Sequence, residues 1–204
     1  SKYFFNEKNY IELMIVDTGV YHDSAAIINI DDKIFVNQND CKIFDRLSYL
    51  EKLNIDFYAV QFSGASWHPV CYKMDNEEKV RISKKKVLSK LVAVRNALKL
   101  IKPKYYIPSA GPAVFPFLEE SLSLGNDNIF VHQPDIEKFL KNSNVKIKYP
   151  KPGDCIEDKN LEKPIKPPTL SELENMRNKF SCEFEKINDN DLDIQLLINQ
   201  VNNR

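Results

Sequence analysis

The sequence predicts an α/β protein with an antiparallel portion, and three observations predict it. Phe57–Phe62 (FYAVQF) is a continuous apolar run of the kind that is buried on both faces of a sheet. From residue 55 onward, strand-like and helix-like segments alternate, which packs helices on a sheet. Before that point, Ser24–Ile30 (SAAIINI) and Lys33–Asn37 (KIFVN) flank Asp31-Asp32, a two-residue hairpin connection. The hairpin makes the sheet a mixed one.

In chain order, Tyr10–Asp17 (YIELMIVD) is a strand followed by a turn at Thr18–Gly19, and the hairpin comes next. A short helix is expected around Phe44–Leu53. Ile82–Ile101 is the strongest helix: Ile82, Leu88, Leu91, Val92, Leu98 and Ile101 recur near helical spacing, and Pro103 follows its end. Lys104–Ile107 is a strand, followed by a loop at 108–112 and a helix near Ala113–Leu122. Then come a strand at Ile129–His132, a helix at Asp135–Asn142 and a short strand at Val145–Tyr149. The character changes at Glu157, where Pro164, Pro167 and Pro168 sit in a lysine- and glutamate-rich linker. Thr169 with Glu172 makes a capping box for a helix to about Lys179, and a last helix covers roughly Asn190–Val201. The expected organisation is a domain over 1–156 and an appendage over 157–204.

Composition narrows the function. Lys+Arg and Asp+Glu both number 29, so the chain lacks the basic excess that phosphate neutralisation on nucleic acid requires. The densest basic run, Lys84–Lys86, reads as a solvated helix face. No apolar stretch approaches the roughly 18 residues of a membrane span, and no basic-then-apolar signal opens the chain, so the expected location is cytoplasmic. The four cysteines form no CxxC and no short Cys/His spacing, which leaves out zinc-finger and iron–sulfur motifs.

Four segments carry candidate chemistry. In Val16–Cys41, His22 lies at the entry to the hairpin and Asp40 where its second strand ends; a hairpin brings its outer ends together, and mixed nitrogen and oxygen ligation suits zinc or iron. The plainer alternative is a surface histidine and a helix-capping aspartate. In Gln61–Tyr72 (QFSGASWHPVCY) a buried strand runs into a small-residue turn, where α/β proteins place ligands. Ser63 and Gly64 permit close approach, Trp67 offers a stacking face and His68 a titratable group; a tight turn plugged by Trp67 is the alternative. In Ile107–Phe115 (IPSAGPAVF), Ser109 and Gly111 stand where backbone N–H groups bind an anion, or where the chain simply turns. Pro150–Asp154 (PKPGD) is by itself a turn. No residue is singled out as catalytic.

Together, MIVDTGVYHDSAAIINIDDKIFVNQNDC, QFSGASWHP, KPKYYIPSAGP and KYPKPGD resemble the metallo-β-lactamase-fold part of CMP-N-acetylneuraminate hydroxylases and UDP-N-acetylmuramate hydroxylases, over about residues 10–156. The resemblance implies the second half of an αββα sandwich with metal at the sheet edge. It implies Asp40 and His22 as ligands of a divalent zinc or iron, and Ser63, Gly64, Trp67, His68, Ser109 and Gly111 around a nucleotide-linked or phosphorylated sugar. The activity implied is that of a hydroxylase or a hydrolase.

Three departures stand against it. The His-x-His-x-Asp-His cluster of that fold is absent from this sequence, as are the Cys-x-His and Cys-x-x-His pairs of a Rieske domain. The strand that often ends in a metal-binding His ends here in Pro108, Ser109 and Ala110, a departure shared with the hydroxylases. The expectation is therefore part of an enzyme with an incomplete metal site, completed by an N-terminal half in the same gene or in another chain. The competing expectation is a metal-free half-domain that pairs with a partner or with its own copy, as an assembly or interaction module.

Overall fold

Side-chain alternation builds the N-terminal part of the chain into an antiparallel meander. In the computed structural model, which describes residues 1–17, 19–64, 66, 68–111, 124, 129–151, 153–156 and 161–184, four strands follow one another. They are β1 (Lys2–Phe4), β2 (Tyr10–Asp17), β3 (His22–Ile30) and β4 (Lys33–Asn39). The β3–β4 turn is the Asp31-Asp32 pair, with φ of 50° and 61°; aspartate tolerates this left-handed backbone, and its twist suits a two-residue hairpin. β1 was not anticipated. It is three residues long and lies on the sheet edge, where Lys2 Nζ sits 3.4 Å from the Tyr10 ring centroid.

From β4 onward the sheet turns parallel. β5 (Phe57–Gln61), β6 (Tyr105–Ser109) and β7 (Lys146–Ile147) complete a seven-stranded mixed sheet in sequential order. Parallel neighbours need crossovers. A 3-10 turn (Phe44–Arg46) and α1 (Leu47–Leu50) lead into β5, and α2 (Asn76–Ile101) connects β5 to β6. α3 (Gln133–Leu140) precedes β7, and α4 (Leu170–Phe184) follows the sheet. Thr169 and Glu172 form the expected capping box, with the Glu172 amide donating to Thr169 Oγ1 at 3.2 Å and the Thr169 amide to Glu172 Oε2 at 2.6 Å.

α2 begins six residues before the expected Ile82. The Asp75 carboxylate accepts from the amides of Glu77 and Glu78, and this cap starts a polar first half that hydrophobic periodicity does not reveal. Lys84–Lys86 therefore lies inside the helix rather than at its start. The apolar residues α2 buries are Leu91, Val94, Ala97, Leu98 and Ile101, all in its second half.

Two other expectations need correction. Ile129–His132 is not a strand: it is buried, but its Val131 amide donates to Ser63 Oγ at 2.9 Å rather than to a sheet neighbour. β7 is two residues, shorter than Val145–Tyr149. The helices expected near 113–122 and 190–201 lie outside the described residues.

The two faces of the sheet differ. Met14, Ala25, Ile27, Val36, Tyr58 and Tyr106 point to one side and pack against the second half of α2, with Ile136 and Leu140 of α3. Within this core the Tyr58 hydroxyl donates to Gln38 Oε1, and Gln38 Nε2 donates to the Cys41 carbonyl at 2.8 Å, so the buried amide is satisfied. On the other side, registered rows run Ile11, Ile28, Phe35, Phe57, Tyr105 and Leu13, Ala26, Asn37, Ala59, Ile107. Apart from Asn37 these residues are apolar or aromatic, and Ile11, Leu13, Ala26, Ile28, Phe35, Phe57 and Ile107 are half-buried.

The Pro-rich segment lies against β7. Glu162 receives the Tyr105 hydroxyl at 2.5 Å and Lys146 Nζ at 2.7 Å, and the Tyr149 amide donates to the Ile165 carbonyl. Those contacts hold the Glu162 carboxyl below its ordinary range and push the Tyr105 phenol up to about 12. No described helix is long and apolar enough to cross a membrane.

Candidate ligand site at the sheet edge

Because β4, β5 and β6 are parallel, their C-terminal ends share one edge of the sheet, the position where open α/β sheets bind ligands. The antiparallel hairpins add the end of β2 and the start of β3 to this edge. Topology alone thus brings His22, Asp40, Ser63, Gly64, Ser109 and Gly111 to one rim.

Asp40 follows an irregularity. The β4–β5 register shifts between Asn37 and Asn39, and Asn39 takes a left-handed φ of 50°. The shift turns the Asp40 carboxylate out of the ladder and leaves it exposed. Its negative charge is felt on three sides. The Tyr21 phenol is raised to about 12, mainly by its 2.6 Å hydrogen bond to Asp23 and further by Asp40. Burial, then Asp23 and Asp40, push the Cys41 thiol up to about 11. On Lys90, Asp40 opposes the burial that lowers the ammonium pKa.

His22 stands at the same rim but is engaged elsewhere. It faces Asp17 across the β2–β3 ladder, with Nδ1 3.1 Å from Asp17 Oδ1, and both side chains are well exposed. No group of three or more His, Cys, Asp or Glu side chains capable of holding a metal occurs among the described residues.

The β5 end is built differently. Ser63 is fully buried and its Oγ accepts the Val131 amide, so this hydroxyl pins the 129–132 segment. Gly64 is there because that segment passes close by: a Cβ would lie 3.2 Å from the Ile129 carbonyl. At the β6 end a Cβ on Gly111 would come within 2.9 Å of the Phe62 ring. Ser109 Oγ is buried and has no hydrogen-bond partner among the described residues. Trp67 lies outside them.

Two lysines of α2 belong to this rim, and one of them, Lys86, lies in the run that sequence reasoning left on a solvated face. Lys90 Nζ donates to Gln61 Oε1 at 2.8 Å. Lys86, one turn earlier, donates to the His68 carbonyl at 2.7 Å and lies 3.0 Å from His68 Nδ1 and 3.3 Å from Ser66 Oγ. An ammonium only donates, so His68 Nδ1 accepts and the ring proton sits on Nε2. The sequence signal was the i, i+4 spacing of Lys86 and Lys90 ahead of the apolar stripe, on a helix whose start was placed too late.

No protein-family profile matches the chain. It is 32% identical over 128 residues to a provisionally named Rieske 2Fe-2S iron-sulfur protein found in two strains of Mycobacterium tuberculosis. A similarly named protein of Mycolicibacterium smegmatis is 28% identical over 130 residues. Each match covers 60% of this chain and 24% of the relative, so the matched part is about a quarter of those proteins. Among solved structures, a provisionally named metal-dependent hydrolase from Parabacteroides distasonis aligns over 72% of this chain and 53% of its own, at 15% identity and a TM-score of 0.38, a likeness too slight to define a shared fold.

Proposed function

We propose that this chain supplies the substrate-recognition side of an active site in a larger, metal-dependent enzyme of the metallo-β-lactamase superfamily, acting on a phosphorylated or nucleotide-linked sugar. The observation that carries the reading is the shared edge. Asp40, Gln61 with Lys90, His68 with Lys86, and the unpartnered Ser109 hydroxyl all come from strand ends, or from a loop and the middle of α2 beside them. Cations and hydroxyls at such an edge are the groups that recognise phosphate and sugar oxygens.

Asp40, with His22 along the same rim, is the metal-ligand candidate. One exposed carboxylate and an imidazole held by Asp17 do not fill a coordination sphere, so the described residues do not fit a metal by themselves. What the chain contributes directly is binding and orientation. The names of the mycobacterial relatives favour a hydroxylase over a plain hydrolase: a Rieske cluster would sit in another part of such a protein, since this sequence has no Cys-x-His pair. In this reading residues 1–156 form the domain and the 161–173 segment braces its β7 side.

Metal analysis of the full-length gene product tests the reading. Stoichiometric zinc or iron that falls in Asp40→Asn is the expected result; absence of stoichiometric metal in the parent protein refutes it.

A second reading, a non-catalytic assembly module, draws on the apolar rows of β2–β5. A contiguous half-buried apolar face of this kind marks an interaction surface. A concentration-independent monomer in sedimentation velocity would rule it out.

A further inference from the structure

We propose that the groove between α3, β7 and the Pro-rich segment binds a small carboxylate with an apolar body, the carboxylate being received by the Tyr149 hydroxyl and the lysines of the rim. This site is separate from the edge described above and does not depend on the reading of that edge. β7 pairs with Tyr105 and Tyr106, at the opposite end of β6 from Ser109.

The groove has a volume of ≈ 560 Å³, a size that suits a small molecule. Three elements wall it. Leu140 comes from α3, Val145, Ile147 and Tyr149 from β7 and its flanks, and Ile165 from the Pro-rich segment. Leu140 and Tyr149 are buried and the other three half-buried, so the floor is apolar.

Tyr149 points to a ligand. It is 5% exposed, and its buried hydroxyl has no hydrogen-bond partner among the described residues. A phenol buried in this way forfeits the hydrogen bond it makes in water. Burial and then the Glu137 carboxylate push its pKa well up, so the hydroxyl keeps its proton and has a donor to offer. Ser143, the other hydroxyl of the lining, already donates to the Leu140 carbonyl at 2.7 Å.

The backbone offers a second donor. The Lys148 amide donates to the Tyr106 carbonyl, so strand alternation turns the Ile147 amide away from β6. The next outward amide, that of Tyr149, is taken by the Ile165 carbonyl. The Ile147 amide has no bonded partner among the described residues.

Charge sets the sign of the ligand. Lys138, Lys141 and Lys166 stand on the rim, and Glu137 is the one acid of the lining. Among the described residues no carboxylate lies within ion-pair distance of these lysines. Three ammonium groups against one carboxylate favour an anion, two neutral donors match two oxygens, and the floor favours hydrocarbon. A carboxylate on an apolar body meets all three conditions.

Titration of the chain with decanoate, read by calorimetry and by the amide NMR signals of Ile147 and Tyr149, tests this. Decanoate is expected to bind saturably, at least about tenfold more tightly than decanol, and decyltrimethylammonium is expected not to bind. Tyr149→Phe and Lys141→Met are each expected to weaken decanoate by about tenfold, the order of one hydrogen bond to a charged group. Lys99→Met, on the exposed last turn of α2, leaves it unchanged. Substituting 4-phenylbutyrate separates an aryl from an alkyl body, and tighter binding of either supports the groove.

Decanol binding as tightly as decanoate, no saturable heat, or full affinity in Tyr149→Phe or Lys141→Met overturns the proposal. Binding that Ile28→Asp removes also overturns it, because the hydrocarbon then lies on the open sheet face. Melting curves show whether each variant is folded. An Ile147 amide signal that decanoate leaves unshifted in the parent chain overturns the proposal without any substitution.

Discussion

Gly111 can serve a ligand or serve packing, and one substitution separates the two. In Gly111→Ala the new methyl lies 2.9 Å from Phe62 Cε1 and 3.0 Å from Cζ, against an ordinary carbon–carbon separation of about 3.5–4.0 Å. The ring is fully buried, so it must shift by about 0.6 Å or more within a close-packed interior. Overpacking of this kind costs about 1–3 kcal/mol. Gly111 is not among the residues with positive φ, so alanine brings no backbone strain and returns about 0.4–1 kcal/mol through the unfolded chain. The net expectation is a loss of about 1–2 kcal/mol, read as a lower urea midpoint at unchanged m-value. Leucine lacks the two clashing ring atoms, so in a Phe62→Leu background the same Gly111→Ala change becomes neutral or mildly stabilising. The coupling in the double-mutant cycle is then about 1–2 kcal/mol. A coupling below about 0.5 kcal/mol would refute the packing role and return Gly111 to the ligand.

Two further outcomes follow from the same edge. Ser63→Ala strands the buried Val131 amide without its acceptor, so a loss of about 1–3 kcal/mol in urea unfolding and faster exchange of that amide are expected; unchanged stability would contradict the pinning role. Lys90→Met is expected to raise stability at neutral pH. Because the folded pKa of Lys90 lies below its ordinary 10.5, the unfolded chain binds more protons between the two values, and parent stability rises with pH across that window. The advantage of Lys90→Met therefore shrinks as pH approaches 10.5, and paired unfolding curves at pH 7 and 10 that show a constant or widening gap would refute it.

What the sequence disclosed and what it withheld divide by interaction range. The Asp31-Asp32 turn, the apolar run of β5 and the Thr169–Glu172 box are local signals, and each appears where the residues put it; the apolar stripe of α2 holds from Leu91 to Ile101, while Leu88 is exposed. Parallel order then follows from the crossovers, which is why Asp40, Ser63 and Ser109 were legible as neighbours on one rim. The roles of those residues were not legible, because they depend on distant partners. Ser63 looked like a ligand contact and holds Val131; Gly64 and Gly111 looked like openings for a ligand and make room for Ile129 and Phe62. Ile129–His132 has the composition of a strand but finds a side-chain hydroxyl where a strand needs a neighbour. Lys86 was hidden because hydrophobic periodicity finds the buried half of a helix and Lys86 lies in the other half, while Lys90 stands just inside the buried half, off its apolar stripe.

The edge and the apolar face bear on one another. Sheets packed face to face lie about 10 Å apart. A second sheet laid over the rows from Ile11 to Phe57 would cover side chains that are half-buried now and would carry its own strand ends up to the rim that holds Asp40, Gln61 and Ser109. That rim is where the described residues provide a carboxylate, two lysines and a spare hydroxyl but too few ligands for an ion. On the proposed reading, assembly through the face and completion of the edge would be a single event. A charged substitution in the middle of the face, Ile28→Asp, should abolish association and metal uptake together, and loss of one without the other would refute the coupling.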